Sequence, residues 1–203
     1  GVRAAACKPV AAGCRVEGTR RVNADAELLA AVAPVQRPLE IVNPVALEPA
    51  IAPHIAAAEA GLALEPGPLV AACRIAAEGA DYLVVEGAGG WRVPLGPRTT
   101  LADLARGLGL PVVLVVGLRL GCLNHALLSA EAIRADGLSL AGWVANPVDP
   151  AMPRLEENVA TLVERLPAPL LARMPRCPEA GERARALRAA AAIPPECLGR
   201  LRG

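Results

Sequence analysis

The sequence predicts an open, doubly wound α/β fold, with a mainly parallel sheet carrying helices on both faces. Two observations lead there. Short apolar runs rich in β-branched residues alternate with stretches of helical periodicity along the chain. One run, PVVLVV at 111–116, shows no polar alternation. A strand of that kind is expected to be buried on both faces, as in a parallel sheet. Strands are predicted at 4–8, 82–85, 111–116, 140–145 and 170–174. Helices are predicted at 24–33, 68–78, 101–107, 123–135 and 154–166, with a weaker one at 181–192. The Pro-rich stretch 34–67 is expected to run as turns and short helical pieces. Right-handed crossovers would join the strands into one α/β domain over residues 1–203.

Composition narrows the function. With 203 residues, 54% of them hydrophobic and 20% charged, the chain can bury a sizeable core and is not a disordered one. A net charge of +1 argues against a protein that lives on nucleic-acid phosphates. The longest uncharged apolar stretch, 107–118, is too short for a membrane span of about 20 residues. Six cysteines lie scattered without a CxxC pair, beside two histidines. That pattern fits neither a disulfide framework nor a zinc site and points to a reducing cytoplasm. No signal-peptide pattern opens the given sequence.

In a sheet of this type ligands bind at the carboxyl ends of the strands, so the residues after each strand carry the functional reading. After the first comes KPVAAG, 8–13. Lys8 is the only lysine of the chain, every other cation being arginine. A compact ammonium at a strand end suits an anion or phosphoryl group, and a surface lysine is the plain alternative. Asn23 reads first as an N-cap of the next helix, with Asp25 in its first turn. The second strand runs into Glu86, Gly87, Ala88, Gly89 and Gly90. A carboxylate at the end of a buried strand needs a partner or a metal, and glycines let the backbone approach a ligand. The third leads through Gly121, Cys122 and Asn124 into a helix whose free N–H groups could hold a carboxylate or phosphate. Cys122 and His125 do not read as a nucleophilic pair, because they share one helix start and no orienting acid is apparent. Asn146 ends the fourth strand. Its amide can pair with a heterocycle edge, and a turn residue before Pro147 is equally consistent. Pro175, Arg176 and Cys177 form a Pro-bounded loop after the fifth.

Taken together, KPVAAG, NADA (23–26), PHIAA (53–57), VEGAGGW (85–91), GLRLGCLNHALL (117–128), GWVAN (142–146) and PAPLLARMP (167–175) resemble the dethiobiotin synthetases, the penultimate enzymes of biotin synthesis. The motifs occur in that order across nearly the whole chain. The resemblance implies a P-loop NTPase-like fold and a ligase that uses ATP, CO2 and 7,8-diaminopelargonate. A carbamate of the diamine would attack ATP, and the mixed carbamic–phosphoric anhydride would close to the cyclic urea with loss of phosphate. By position, Lys8 would contact the carbamate and the transferring phosphoryl. Asp25 and Glu86 would be the Mg2+-associated carboxylates. The nucleotide would be met by Glu86, Gly87, Ala88 and Gly89, by Asn146 and Pro147 at the adenine, and by the loop Pro175, Arg176 and Cys177. Ala12, Gly121, Cys122 and Asn124 would lie at the substrate, the last three holding its distal carboxylate across a homodimer.

The sequence departs from that pattern at Ala12, where many relatives carry a serine, and at Pro147, where some carry an aspartate. No GxxxxGK[ST] phosphate loop occurs in it. The resemblance places that loop on a strand–loop–helix unit before Gly1, about 25–30 residues long, and the chain without it is expected to be inactive. Two other readings compete: a non-catalytic or degenerate nucleotide-binding or dimerisation protein of the same fold, and a related P-loop amide-forming ligase. The second normally carries a glutaminase domain, for which this chain has no room.

Overall fold

The computed structural model describes residues 2–175. The chain divides into two compact units that meet in sequence between Leu108 and Gly109. The helix predicted at 181–192, together with Arg176 and Cys177, lies outside the described residues.

The first unit opens with β1 (Ala4–Cys7) and β2 (Val10–Ala11), followed by β3 (Arg15–Glu17) and β4 (Arg20–Val22). Next come α1 (Ala24–Val32), α2 (Leu39–Val42), β5 (Val45–Ala46), α3 (Pro53–Glu59) and α4 (Pro66–Ala77). It closes with β6 (Tyr82–Val85) and α5 (Leu101–Leu108). Parallel pairing joins β1 to β6, with Cys7 opposite Val85, and β2 to β5. Helix α1 starts where the sequence places it, because Asn23 Oδ1 accepts from the N–H groups of Asp25 and Ala26. Helix α4 begins two residues earlier than predicted. Pro66 sits in its first turn, where the missing N–H costs nothing. Helix α5 is started by Asp103, whose Oδ2 accepts from both the N–H and the hydroxyl of Thr100. Val10, Leu47, Leu64, Leu69, Leu101 and Leu104 form the main apolar cluster of this unit.

The antiparallel hairpin β3–β4 was not legible in the sequence. All three residues of β3 are exposed, so no apolar alternation marks the strand. Gly18, at φ +62, supplies the reversal between Glu17 and Arg20. Arg15 ties the hairpin down through Glu17 and Glu27.

The second unit holds β7 (Val112–Leu118), α6 (Cys122–Ala135), β8 (Leu140–Pro147), α7 (Leu155–Arg165) and β9 (Leu170–Arg173). The three strands are parallel, in the order β7-β8-β9. Trp143, Ile133 and Leu162 are fully buried here. The unalternating β7 is less buried than its pattern suggests, with Val115 59% exposed. Within the described residues β7 pairs on one side only, with β8. Among the described residues no helix is long and apolar enough to cross a membrane.

One close approach in this unit makes a test of packing. Leu171 is the extra residue at the register shift between β8 and β9, and it lies over Gly142. A Cβ at Gly142 would clash with Leu171 Cγ and fall 2.6 and 2.7 Å from its two methyls. Gly142→Ala is therefore expected to destabilise the protein by about 1–3 kcal/mol, as overpacking does. Urea unfolding should read that loss, and combining the change with Leu171→Ala should return part of it.

Candidate active site

The register of β1 on β6 decides which side chains meet. Because Cys7 stands opposite Val85, Lys8 and Glu86 leave their strands side by side, and the Glu86 N–H donates to the Cys7 carbonyl at 2.9 Å. Lys8 is 5% exposed, and a buried ammonium is costly unless it is paired. Its Nζ donates to Glu86 Oε1 at 2.5 Å, to Asp25 Oδ2 at 2.9 Å and to the Gly87 carbonyl at 3.3 Å. Asp25 reaches it because the Asn23 cap sets the first turn of α1. Burial is the largest influence on Lys8 and disfavours its charge. The hydrogen bonds and charges of Glu86 and Asp25 outweigh burial, so Lys8 titrates above its ordinary value. The plain alternative of a surface lysine is thereby overturned. The two carboxylates remain open to solvent, with their side chains 58% and 44% exposed for Asp25 and Glu86.

Above this triad lies an open cleft of about 490 Å³. Lys8, Asn23 and Asp25 supply its polar end, while Ala12, Ile51, Val93 and Pro94 make an apolar wall. Ala88 and Gly89 of the Gly-rich loop also line it. Gly89 sits at φ +78, and a Cβ there would come within 3.0 Å of Val93, so the loop needs a glycine at that point. The cleft is thus built to place a charged group near the Lys8 ammonium and the Asp25 carboxylate and an alkyl portion against the apolar wall.

Among the described residues no three or more His, Cys, Asp or Glu side chains form a self-sufficient metal cluster. The donors present, two solvent-facing carboxylates, instead suit a hard cation that shares its remaining sites with phosphate oxygens and water, as Mg2+ does.

The other residues singled out by sequence lie in the second unit. Gly121 caps α6 in the left-handed region at φ +91, with no side-chain cap on the helix. The Cys122 N–H turns back onto the Arg119 carbonyl at 3.0 Å, which leaves the next amides, Leu123 and Asn124, at the helix start. Cys122 is buried and His125 exposed, in keeping with the rejection of a nucleophilic pair. Asn146 and Pro147 end β8, both half-buried, and Pro175 is the last described residue.

One residue of the site went unnoticed in the sequence. Asn43 is buried, and its side-chain amide donates to the Lys8 carbonyl at 2.7 Å. Only two hints existed: asparagine is sparse in this chain, and Asn43 precedes a proline.

A parallel-stranded α/β unit that holds a buried ammonium between two carboxylates, beside a Gly-rich loop at its strand ends, has the layout of an α/β enzyme that binds a charged ligand at its strand ends. Residues 1–184 match the family model described as an AAA domain. The chain is 62% identical over 182 residues to an ATP-dependent dethiobiotin synthetase of Pseudomonas paraeruginosa, covering 89% of this chain and 80% of the relative. It is 59% identical over 170 residues to the enzyme of the same name from Cellvibrio japonicus, covering 83% and 74%. For that of Aromatoleum aromaticum the identity is 52% over 168 residues, covering 83% and 75%. The chain belongs to the ATP-dependent dethiobiotin synthetase family.

Proposed function

We propose that this protein is an ATP-dependent dethiobiotin synthase, which joins CO2 to 7,8-diaminopelargonate and closes the ureido ring with release of ADP and phosphate. The observation that carries the site reading is the Lys8 ammonium held between Glu86 and Asp25 at the floor of the cleft. One amine of the substrate takes up CO2 and loses a proton to become a carbamate. A carbamate oxygen then displaces ADP from the terminal phosphoryl, giving the mixed anhydride. The second amine attacks the carbonyl carbon, the ring closes, and phosphate leaves. Charge gathers on the carbamate and phosphoryl oxygens throughout. The Lys8 ammonium opposes that charge once a substrate oxygen takes over one of the three N–H groups now given to Glu86, Asp25 and the Gly87 carbonyl. Lys8 is already placed and charged for it. The apolar wall of Ile51, Val93 and Pro94 takes up methylenes of the substrate, and Ala12 leaves that wall without a hydroxyl.

A Mg2+ ion entering with ATP would be held by Asp25 and Glu86 and would neutralise phosphate charge. The nucleotide roles of Gly87, Ala88 and Gly89, and of Asn146, Pro147, Pro175, Arg176 and Cys177, are carried over from the family pattern. So is the role of Gly121, Cys122 and Asn124 at the distal carboxylate of a substrate bound by the partner in a homodimer. A cytoplasmic location accords with the scattered free cysteines.

The direct test uses the chain together with the phosphate-loop unit that the family pattern places before Gly1, and follows dethiobiotin by mass spectrometry alongside phosphate, with 7,8-diaminopelargonate, bicarbonate and MgATP supplied. One dethiobiotin per phosphate is expected. Phosphate release without the cyclic product would overturn the reading. For the metal, Glu86→Gln is expected to raise the Mg2+ concentration for half-maximal rate by roughly tenfold, the effect of losing about 1.4 kcal/mol of attraction. Asp25→Asn should act in the same direction. An unchanged Mg2+ requirement in both folded variants would leave the two carboxylates as partners of Lys8 alone.

A further inference from the structure

Lys8, Asn23 and Asn43 are the buried polar or charged residues among those described, and all three meet at the segment that follows β1. Asn23 caps α1 and also reaches the Ala12 carbonyl at 3.5 Å. Asn43 has a different task. Residues 42–47 run beside residues 8–11 and exchange a series of backbone hydrogen bonds with them. The Lys8 N–H donates to the Val42 carbonyl at 2.7 Å, the Val45 N–H to Pro9 at 3.3 Å, and the Leu47 N–H to Ala11 at 2.8 Å. The series has a gap at the Lys8 carbonyl. The Asn43 N–H is committed to Leu39 at 2.7 Å, closing α2, and Pro44 has no N–H to give. A buried carbonyl left there without a donor would be costly. The Asn43 Nδ2 fills the gap, donating to the Lys8 carbonyl at 2.7 Å and to the Val45 carbonyl at 3.2 Å.

We propose that Asn43 is a positioning residue for Lys8: its side-chain amide supplies the backbone hydrogen bond that Pro44 cannot, and so fixes the main chain from which the ammonium is aimed. With the N–H and the carbonyl of Lys8 both tied, only side-chain torsions remain free, and Glu86, Asp25 and Gly87 settle those. The consequence for turnover rests on the reading of Lys8 given above; the clamp itself does not.

The composition of the chain allows a direct test. Lys8 is the only lysine of these 203 residues, so in protein labelled with 13C,15N-lysine its side-chain Cε signal is assigned as the one that disappears in Lys8→Arg. Three variants serve. Asn43→Asp keeps the size of the side chain but cannot donate when ionised. Asn43→Ala removes the group. Asn43→Ser keeps a shorter donor and is the fallback should either of the others not fold. Gly142→Ala, in the other unit, controls for general destabilisation. The Lys8 signal is expected to shift in Asn43→Asp and Asn43→Ala, as the contacts with Glu86 and Asp25 loosen. It should stay in place in Gly142→Ala. Turnover should fall about tenfold or more, with the KM for ATP little changed, as when a reacting group is misplaced. Asn43 variants that lose stability yet keep the parental Lys8 signal would overturn the proposal. A displaced signal with full turnover would uphold the clamp and sink the catalytic reading of Lys8 instead.

Discussion

In the protein complete with its phosphate-loop unit, Lys8→Ala is expected to lower dethiobiotin formation by about 10²-fold or more, the scale of losing one preorganised electrostatic contact to a developing charge. The effect should fall on turnover rather than on nucleotide affinity, since the ammonium meets oxygens whose charge grows during transfer. Lys8→Arg should rescue poorly. The position is 5% exposed and closed by Glu86, Asp25 and the Gly87 carbonyl, so a planar five-donor fork cannot take the place of a tetrahedral ammonium. The pH behaviour is part of the same prediction. Burial alone would pull the Lys8 pKa down, but the carboxylates raise it. The group therefore stays charged through neutrality. Its contribution to stability is fully present below the ordinary lysine pKa of about 10.4 and is lost only as pH climbs through the raised folded-state value. Circular dichroism would establish that the variants fold, and single-turnover phosphate release would locate the defect. Near-parental turnover in Lys8→Ala would reduce the triad to a structural ion-pair network.

The second large effect concerns the shared site. Each active site of the proposed homodimer takes Lys8 from one subunit and the α6 start from the other. Gly121 is the point at which to block that helix start. At φ +91 it holds a conformation that a β-branched residue strains to adopt, and any Cβ there is directed to within 3.7 Å of His125. Homodimers of Lys8→Ala and of Gly121→Val are each expected to be nearly inactive. Mixing them should restore activity. A mixed dimer holds one site with both defects and one with neither, so up to half the parental rate per mixed dimer is expected. Fluorescence transfer between labelled subunits would establish exchange. Absence of recovery once exchange is demonstrated would mean that Gly121 to Asn124 serve their own chain.

The elements differ in how far they could be read in advance. Helix α1 was legible because its cap is local: Asn23 satisfies donors two and three residues away, and no distant partner is needed. The strands β1, β6, β7, β8 and β9 were legible because β-branched and apolar runs ending in Gly- or Pro-bounded loops are local too. Hairpin β3–β4 escaped, since two antiparallel strands bearing charges on their exposed faces leave no hydrophobic period to read. Asn43 escaped for a related reason. Its role depends on a missing donor at Pro44 and an orphan carbonyl on Lys8, 35 residues away in the chain.

By itself, then, the sequence determined the α/β class, the strand-end positions of Lys8 and Glu86, and the family to which both belong. Composition argued against a nucleic-acid binder, and motif order carried the rest. Only the tertiary structure decided that the lone lysine is buried between two carboxylates. Lys8 and Glu86 are 78 residues apart, and Lys8 and Asp25 are 17 apart. No local preference links such positions. The parallel register of β1 on β6 brings the first pair together, and the Asn23 cap turns Asp25 toward them. Burial then makes the pairing obligatory, because an ammonium withdrawn from water must find its counter-charges within the fold.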